Sequence, residues 1–366
     1  MNTALQFLID SSYGHSLPYP GDFRVDDNVL AQFPSETQIL SAKRLQKSAW
    51  SVTAHLHLRL PDGSEQRVLL KSAPGVHGQT MMEGEFKAMS EIYKWAQDLV
   101  PKPLAFGQYA AMDPEAYFFL SEAVNMREKM PDPSQICAKL AHLHSESKSP
   151  TGEFGFHITT CQGRVPQSVS WEKSWTTFFT RLLQHVSKLD FKYNGYWEEL
   201  DMIEKRLVSN VVPRLLGALE TDGRSIKPSL IHADLWEGNI GIGAKDGKVY
   251  VFNSAAFYAH NEMEIGEWRC HYHKIHDGAY TESYLEHCGP SEPKDEWEDR
   301  NRLYSIYFNL IYSVNHLSQG TAVRQVAYND MYYLVDKFAP FPDGDGPSKL
   351  DESEMATLSE KQDYTI

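Results

Sequence analysis

The stretch that decides the fold is 228-PSLIHADLWEGNIGIGAKDGKVYVFNSAAFYAHNEMEIGEW-268. Two short apolar runs, Ser229–His232 and Lys248–Asn253, bracket a polar loop. Val249, Tyr250, Val251 and Phe252 are β-branched or aromatic, and Lys245-Asp246-Gly247-Lys248 ahead of them reads as a hairpin turn. Asp234 and Asn239 are therefore expected on a loop leaving a strand, with Asn253 ending the strand that follows. His-x-Asp with Asn five residues after the Asp is the layout of a phosphotransfer catalytic loop. In such loops the Asp accepts the proton of the acceptor hydroxyl and the Asn holds a magnesium ion. A second acidic residue normally follows on the next strand and grips the metal that bridges the phosphates. Here that position is Asn253, a neutral amide. A plain turn is the competing reading, and the order strand, loop, hairpin, strand weighs against it.

Upstream, Val52–Leu60 alternates apolar and polar residues, Pro61-Asp62-Gly63 turns, and Gln66–Lys71 returns as a second strand. Lys71 closes the run VLLK. In a kinase-like fold a Lys there pairs with the α- and β-phosphates, whereas pattern alone favours a solvated strand end. A helix is expected from Met82 to about Gln97, with Phe86, Met89 and Tyr93 on one face. Lys43–Ser51, ahead of these strands, contains no glycine, so backbone N–H groups there approach a phosphate less readily. Tyr117–Val124 reads as an apolar strand, and Pro133–Ser145 as a helix after a Pro-Asp-Pro start. Leu182–Leu189, Trp197–Leu219 and Arg302–Leu317 have helical periodicity. His271, His273 and His276 share no helical face, which disfavours a structural zinc site. Trp171, Trp175, Phe178 and Phe179 read as packing.

Length and composition narrow the class. A chain of 366 residues suffices for two lobes with ample core. The net charge of −14, from 49 acidic and 35 basic residues, argues against a nucleic-acid partner. No apolar run is long enough for a membrane span, and the start lacks the features of a secretory signal. Four cysteines without a CxxC pair fit a reducing, cytoplasmic setting. The last residues, DESEMATLSEKQDYTI, read as a flexible tail.

The motifs together resemble one family. HADLWEGN (232–239) is similar to the His-Gly-Asp-Leu-Trp-x-Gly-Asn signature of the fructosamine/ketosamine kinases, relatives of the aminoglycoside phosphotransferases and choline kinases. FYAHNEMEIG (257–266) resembles that family's Phe-Tyr-Gly-His-x-Glu-x-Glu segment. FGFHITTCQGRVPQSVSWEKSWTTFF (154–179) resembles its Phe-Gly-Phe-His…Pro-Gln…Trp…Trp-x-x-Phe-Phe run. The resemblance covers residues 40–340 in motif order.

It implies an α+β, two-lobed protein-kinase-like fold, with a sheet-rich lobe at 1–122, a helical lobe at 125–340, a tail at 341–366, and the site between the lobes. It implies ATP and Mg2+ as cofactors and a small-molecule substrate, a sugar or sugar–amine adduct phosphorylated on a hydroxyl. Asp234 would be the base. Lys71 and Glu85 (with Glu83 as its competitor) would serve the nucleotide, and Glu122 to Val124 would form the hinge that meets adenine. Trp236, Glu237, His260, Glu262 and Glu264 would line the acceptor side, and Asn239 and Asn253 would stand at the metal. A solvated helix start is the plainer reading of the two later glutamates. Two departures stand out besides the glycine-free loop: Ala233 in place of Gly, which narrows the backbone's freedom, and Asn253. They keep a second function open, a kinase-fold protein that binds or transforms a small molecule without phosphorylating it.

Overall fold

The computed structural model describes residues 6, 17–45, 50–110, 112–127, 129–342 and 346–350. Residues 46–49 of the glycine-free segment Lys43–Ser51, most of the first sixteen residues and the tail 351–366 lie outside the described residues, and so do the expectations made for them. The chain divides into two units. One comprises Met1–Lys129 with Gly241–Ala255, the other Met130–Ile240 with Ala256–Thr365.

The first unit is built on five strands: β1 (Gln38–Arg44), β2 (Val52–Arg59), β3 (Glu65–Pro74), β4 (Pro103–Gln108) and β5 (Ala116–Glu122). Their order is β1-β2-β3-β5-β4, and every neighbouring pair is antiparallel. Alternation places Val52, Ala54, Leu56 and Leu58 on one face, where they pack with Val68, Leu70, Phe118, Leu120 and Phe23. The other face carries Lys71, opposite Phe119 in the ladder, and receives α1 (Gly75–Trp95). Phe86 of α1 meets Phe119 with ring centroids 6.0 Å apart. The helix starts before the expected Met82 because its first turns, with Val76 exposed, carry no apolar stripe.

The hairpin Ile240–Gly243 and Val249–Val251 pairs with Met126–Arg127 in a separate three-stranded sheet. The Val251 N–H donates to Leu99 O at 2.8 Å, so the segment bearing Asn253 is fastened within the first unit.

The second unit is mainly helical: α2 (Pro133–Glu146), α3 (Trp175–Asn194), α4 (Gly278–Cys288), α5 (Trp297–Asn315) and α6 (Gly320–Phe338). Asp132 caps α2 by accepting from the Ser134 N–H, with Pro133 at the first position. The aromatic run assigned to packing does pack: Trp175, Phe178 and Phe179 are fully buried, and Trp175 donates to the Tyr304 hydroxyl of α5 at 2.9 Å. Ser229–Ile231 and Phe257–Ala259 form a short antiparallel pair that brackets the loop of interest. No helix among the described residues is long and apolar enough to cross a membrane.

Candidate active site

In the first unit two of the candidate side chains converge on the ammonium of a third. Lys71 Nζ donates to both oxygens of Glu85, at 2.7 and 2.9 Å, and to Asn253 Oδ1. A lysine has three N–H donors, so these partners use all of them. The Lys71 and Glu85 side chains are each only 13% exposed, which sets this pair apart from a screened surface bridge. Glu85, two residues beyond its competitor Glu83, is the partner. Asn253 has φ +61°, the left-handed region that Asn tolerates far better than branched residues. Glu122 ends β5 with its N–H bonded to Lys102 O at 2.9 Å, while the Ala123 N–H reaches Arg67 O at 3.1 Å. Val124 follows beyond the ladder.

In the second unit the loop His232–Asn239 is held mainly by its backbone. Asn261–Arg269 is a 3-10 segment, in which residues three apart eclipse, so Glu264 and Glu267 lie on one side. Glu264 accepts the His232 N–H at 2.5 Å and the Ala233 N–H at 3.0 Å, and Glu267 accepts the Leu235 N–H at 2.6 Å. Trp268 Nε1 donates to Leu235 O at 2.8 Å. Ala233 has φ +62°, a conformation that costs a residue with a Cβ on the order of 1–2 kcal/mol. That strain is the physical content of the missing glycine, and the two carboxylates hold the loop in place against it.

Both oxygens of Asp234 are engaged. Oδ1 accepts from Gln162 Nε2 at 3.0 Å and Oδ2 from Asn239 Nδ2 at 2.9 Å, while the same Asn239 amide also donates to Asp234 O at 2.7 Å. Gln162 Nε2 is shared, lying 3.1 Å from Glu267 Oε1 as well. Burial, then the charges of Asp234 and Glu264, push the Glu267 carboxyl well above the usual range. Burial also works against the charge of Glu264, but His144 and the His232 N–H outweigh it and hold that carboxyl below its ordinary value.

The remaining residues fall into two groups. Trp236 stacks on His273 with centroids 5.4 Å apart, and a Cβ at Gly238 would strike the Trp236 ring at 2.2 Å, so the indole folds over that glycine. Glu237 accepts the Lys274 N–H at 2.9 Å. Burial lowers the His273 imidazole to about 3, which keeps it neutral. His260, Glu262 and Glu264, by contrast, are essentially inaccessible. His260 bridges the Tyr304 and Ser291 hydroxyls at 2.8 and 2.9 Å, and burial depresses it to about 4. Glu262 pairs with the buried Arg300 at 2.8 Å. None of the three is a solvated helix start, and each spends its polar atoms on the protein.

Gln162 and Glu267 were missed by sequence reasoning. Gln162 sits in a two-residue hairpin, Cys161–Gln162 against Val165–Pro166, turned by Gly163 at φ +56°. The visible signal was the Gln-Gly-Arg turn inside a run otherwise dominated by packing aromatics. Among the described residues no group of three His, Cys, Asp or Glu side chains is arranged to hold a metal. Asn239 and Asn253 offer neutral amides, and Asn253 Oδ1 already receives Lys71. These two donors alone do not fit a magnesium ion, which is usually held through one or two carboxylates.

Comparison with known proteins follows this geometry. A family model described as Fructosamine kinase matches residues 26–341. The chloroplastic protein-ribulosamine 3-kinase of rice (Oryza sativa subsp. indica) is 29% identical over 238 residues, covering 64% of this chain and 63% of the rice protein. The match thus spans slightly under two thirds of that relative's length. A crystal structure of a fructosamine-3-kinase candidate from Haemophilus somnus aligns with TM-score 0.63 at 19% identity, over 81% of this chain and 92% of that one. A thermostable mutant of the aminoglycoside phosphotransferase APH(4)-Ia, in ternary complex with AMP-PNP and hygromycin B, aligns with TM-score 0.55 at 14% identity, over 82% and 94%. These two establish the fold as the α+β, kinase-like one of the aminoglycoside phosphotransferases. With a family match that extends from residue 26 to residue 341, the chain belongs to the fructosamine kinase family.

Proposed function

We propose that this protein is an ATP-dependent small-molecule kinase that phosphorylates a hydroxyl of a ketosamine, a sugar–amine adduct, and that Asn253 makes it a slow one. The observation that carries the reading is Asp234, whose two carboxylate oxygens are fixed by Gln162 and Asn239 on a loop with the family signature. A base held this way accepts a proton from an acceptor hydroxyl without first reorganising. Lys71, buttressed by Glu85, supplies positive charge for the α- and β-phosphates, and residues Glu122 to Val124 are the proposed adenine contact. Trp236, stacked on His273, offers an indole face suited to a sugar ring. A magnesium ion carried in with the triphosphate would supply charge neutralisation, and Asn239 and Asn253, the proposed contacts on this chain, would offer it only neutral amides and no carboxylate. Both are uncharged, and this favours slow transfer.

One observation also favours a second reading, a protein that binds the adduct without phosphorylating it. The amide of Asn253 occupies a donor of Lys71 that a phosphate would otherwise take. Titration of ATP with and without Mg2+, followed by ADP release in the presence of a fructosyl-amine, separates the two. Nucleotide binding with slow, ketosamine-dependent ADP release supports the kinase. Binding of the ketosamine with no nucleotide binding rejects it in favour of the second reading.

A further inference from the structure

We infer that the second unit carries a second ligand site, a cavity that takes a small phosphate monoester and is coupled to the Asp234 loop through the segment Asn261–Arg269. The inference does not depend on the kinase reading. The cavity has a volume of about 310 Å³, and its polar lining is Arg224, Lys227, His260, Asn261, Ser291 and Glu292. That volume is at the lower end of the range for small-molecule pockets. Lys227 precedes the antiparallel pair Ser229–Ile231 and Phe257–Ala259, and His260 follows it, whereas Asp234 leaves by the other end. About 10 Å of paired strand therefore lies between the cavity and the Asp234 loop.

The polar groups of the cavity are set up to donate. Lys227 Nζ gives two N–H groups to His144 O, at 2.8 Å, and Ser145 O in the last turn of α2. A lysine has three donors, so one remains. Partial burial lowers this amine below its ordinary value, and the charge of Glu146 does not restore it. Arg224 directs Nε to Ala218 O at 2.7 Å and Nη2 to Thr221 and Asp222, which leaves Nη1. Ser291 adds a hydroxyl. The Tyr304 hydroxyl accepts from Trp175 Nε1 at 2.9 Å, so its own hydrogen goes to His260 Nδ1 at 2.8 Å. Burial keeps His260 neutral, and its proton then sits on Nε2, donating to Ser291 Oγ at 2.9 Å. The hydrogen of Ser291 is left for a ligand.

The site is also braced. The Ser291 N–H donates to Glu262 Oε1 at 2.6 Å and Ser291 O accepts from Arg300 Nη2 at 2.8 Å, so the buried Arg300–Glu262 pair fixes that residue from both ends. A guanidinium, an ammonium and a hydroxyl match the three terminal oxygens of a phosphate monoester, where a carboxylate offers only two. Leu219 and Ile226, also in the lining, face the carbon part that inorganic phosphate lacks. Glu292 stands on the exposed rim, its carboxylate 3.7 Å from Lys294 Nζ. The path to the loop is short. Asn261 opens the 3-10 segment whose Glu264 accepts the His232 and Ala233 N–H groups and whose Glu267 accepts that of Leu235. An anion that fixes the cavity end of this segment restrains both carboxylates, and with them the loop.

The test is calorimetric titration of the full chain with glycerol 3-phosphate, for wild type, Lys71→Met, Lys227→Met and Ser291→Ala. The expected result is one saturable site in wild type, unchanged in Lys71→Met, and weakened about tenfold or more in Lys227→Met and in Ser291→Ala. Ser291→Ala leaves the end of α2 intact, so it decides the matter if Lys227→Met unfolds. Glycerate, the carboxylate counterpart, should bind at least about tenfold more weakly than the phosphate. Loss of binding in Lys71→Met places the phosphate at the nucleotide lysine and overturns the inference. So do undiminished binding in Ser291→Ala and absence of binding up to about 10 mM. Glycerate binding as tight as that of the phosphate overturns the ligand class.

Amide hydrogen exchange on wild type, with and without saturating glycerol 3-phosphate, reads the coupling. Slower exchange is expected at Asn261–Glu264 and at the His232, Ala233 and Leu235 amides. Protection confined to the cavity residues overturns the coupling. Neither measurement requires turnover, so a failure of the kinase reading leaves both tests standing.

Discussion

Replacing Asn253 by Asp changes one charge and almost nothing else. Asn253 has φ +61°, a region that Asp also occupies readily, so the backbone need not move. The Asn253 amide oxygen accepts from Lys71, whose other two donors go to Glu85 at 2.7 and 2.9 Å. A carboxylate at the same place keeps that contact and adds a full negative charge where the family pattern has one. At an effective dielectric near 20, unit charges about 4 Å apart interact by about 4 kcal/mol. If half of that reaches a cation bound with the triphosphate, the gain is about 2 kcal/mol, or about 30-fold in rate or affinity. Calorimetric titration of ATP with and without Mg2+ reads the binding, and ADP release with a fructosyl-amine reads the transfer. The expected outcome for Asn253→Asp is tighter magnesium-dependent binding and at least about tenfold faster release, with little change in magnesium-free binding. Equal magnesium dependence and equal rates in the two proteins would refute the reasoning.

Further expectations concern the supports of the site. Glu262→Gln leaves the buried Arg300 without its counter-charge and should destabilise the protein by about 3–5 kcal/mol, read by denaturant unfolding. Gly163→Ala forces a Cβ into the Asn315 amide at positive φ, with an expected cost of about 1–2 kcal/mol in the same assay; unchanged stability would contradict the described turn. Glu204 is buried, and this raises its carboxyl to about 7. A raised acid is neutral in the folded state, so its full contribution holds below about pH 4.5 and is lost as pH rises through about 7. Glu204→Gln should remove a pH-dependent loss of about 3 kcal/mol across that window, seen as a flatter plot of unfolding free energy against pH.

Much of the architecture was legible because it rests on short-range signals. Alternation in Val52–Leu60 gave the face of β2, and Phe86 and Met89 marked the helix against which β3 packs. The start of α1 was illegible, since its exposed first turns carry no stripe. In the candidate site, local spacing was enough to single out Asp234 and Asn239 as one constellation, and they share two hydrogen bonds. What spacing could not express is which carboxyl groups are spent on the protein itself. Glu264 and Glu267 align only because Asn261–Arg269 winds as a 3-10 segment, and that choice is made by the backbone N–H groups they receive. Gln162 lies 72 residues from its partner Asp234, a separation at which no periodicity operates.

The assignment of Gly241–Ala255 to the first unit has a consequence for synthesis and dissection. The polypeptide passes between units after residues 129, 240 and 255, so the first unit is not a contiguous piece of the gene product. A ribosome that has released residue 130 has not yet made the strand that bonds Leu99, nor the amide that meets Lys71. Completion of the sheet-rich unit must therefore wait until a large part of the helical one has emerged. A truncation ending near residue 130 would be a fragment with an open seam rather than an autonomous domain, and adding the 241–255 peptide in trans is the natural way to close it.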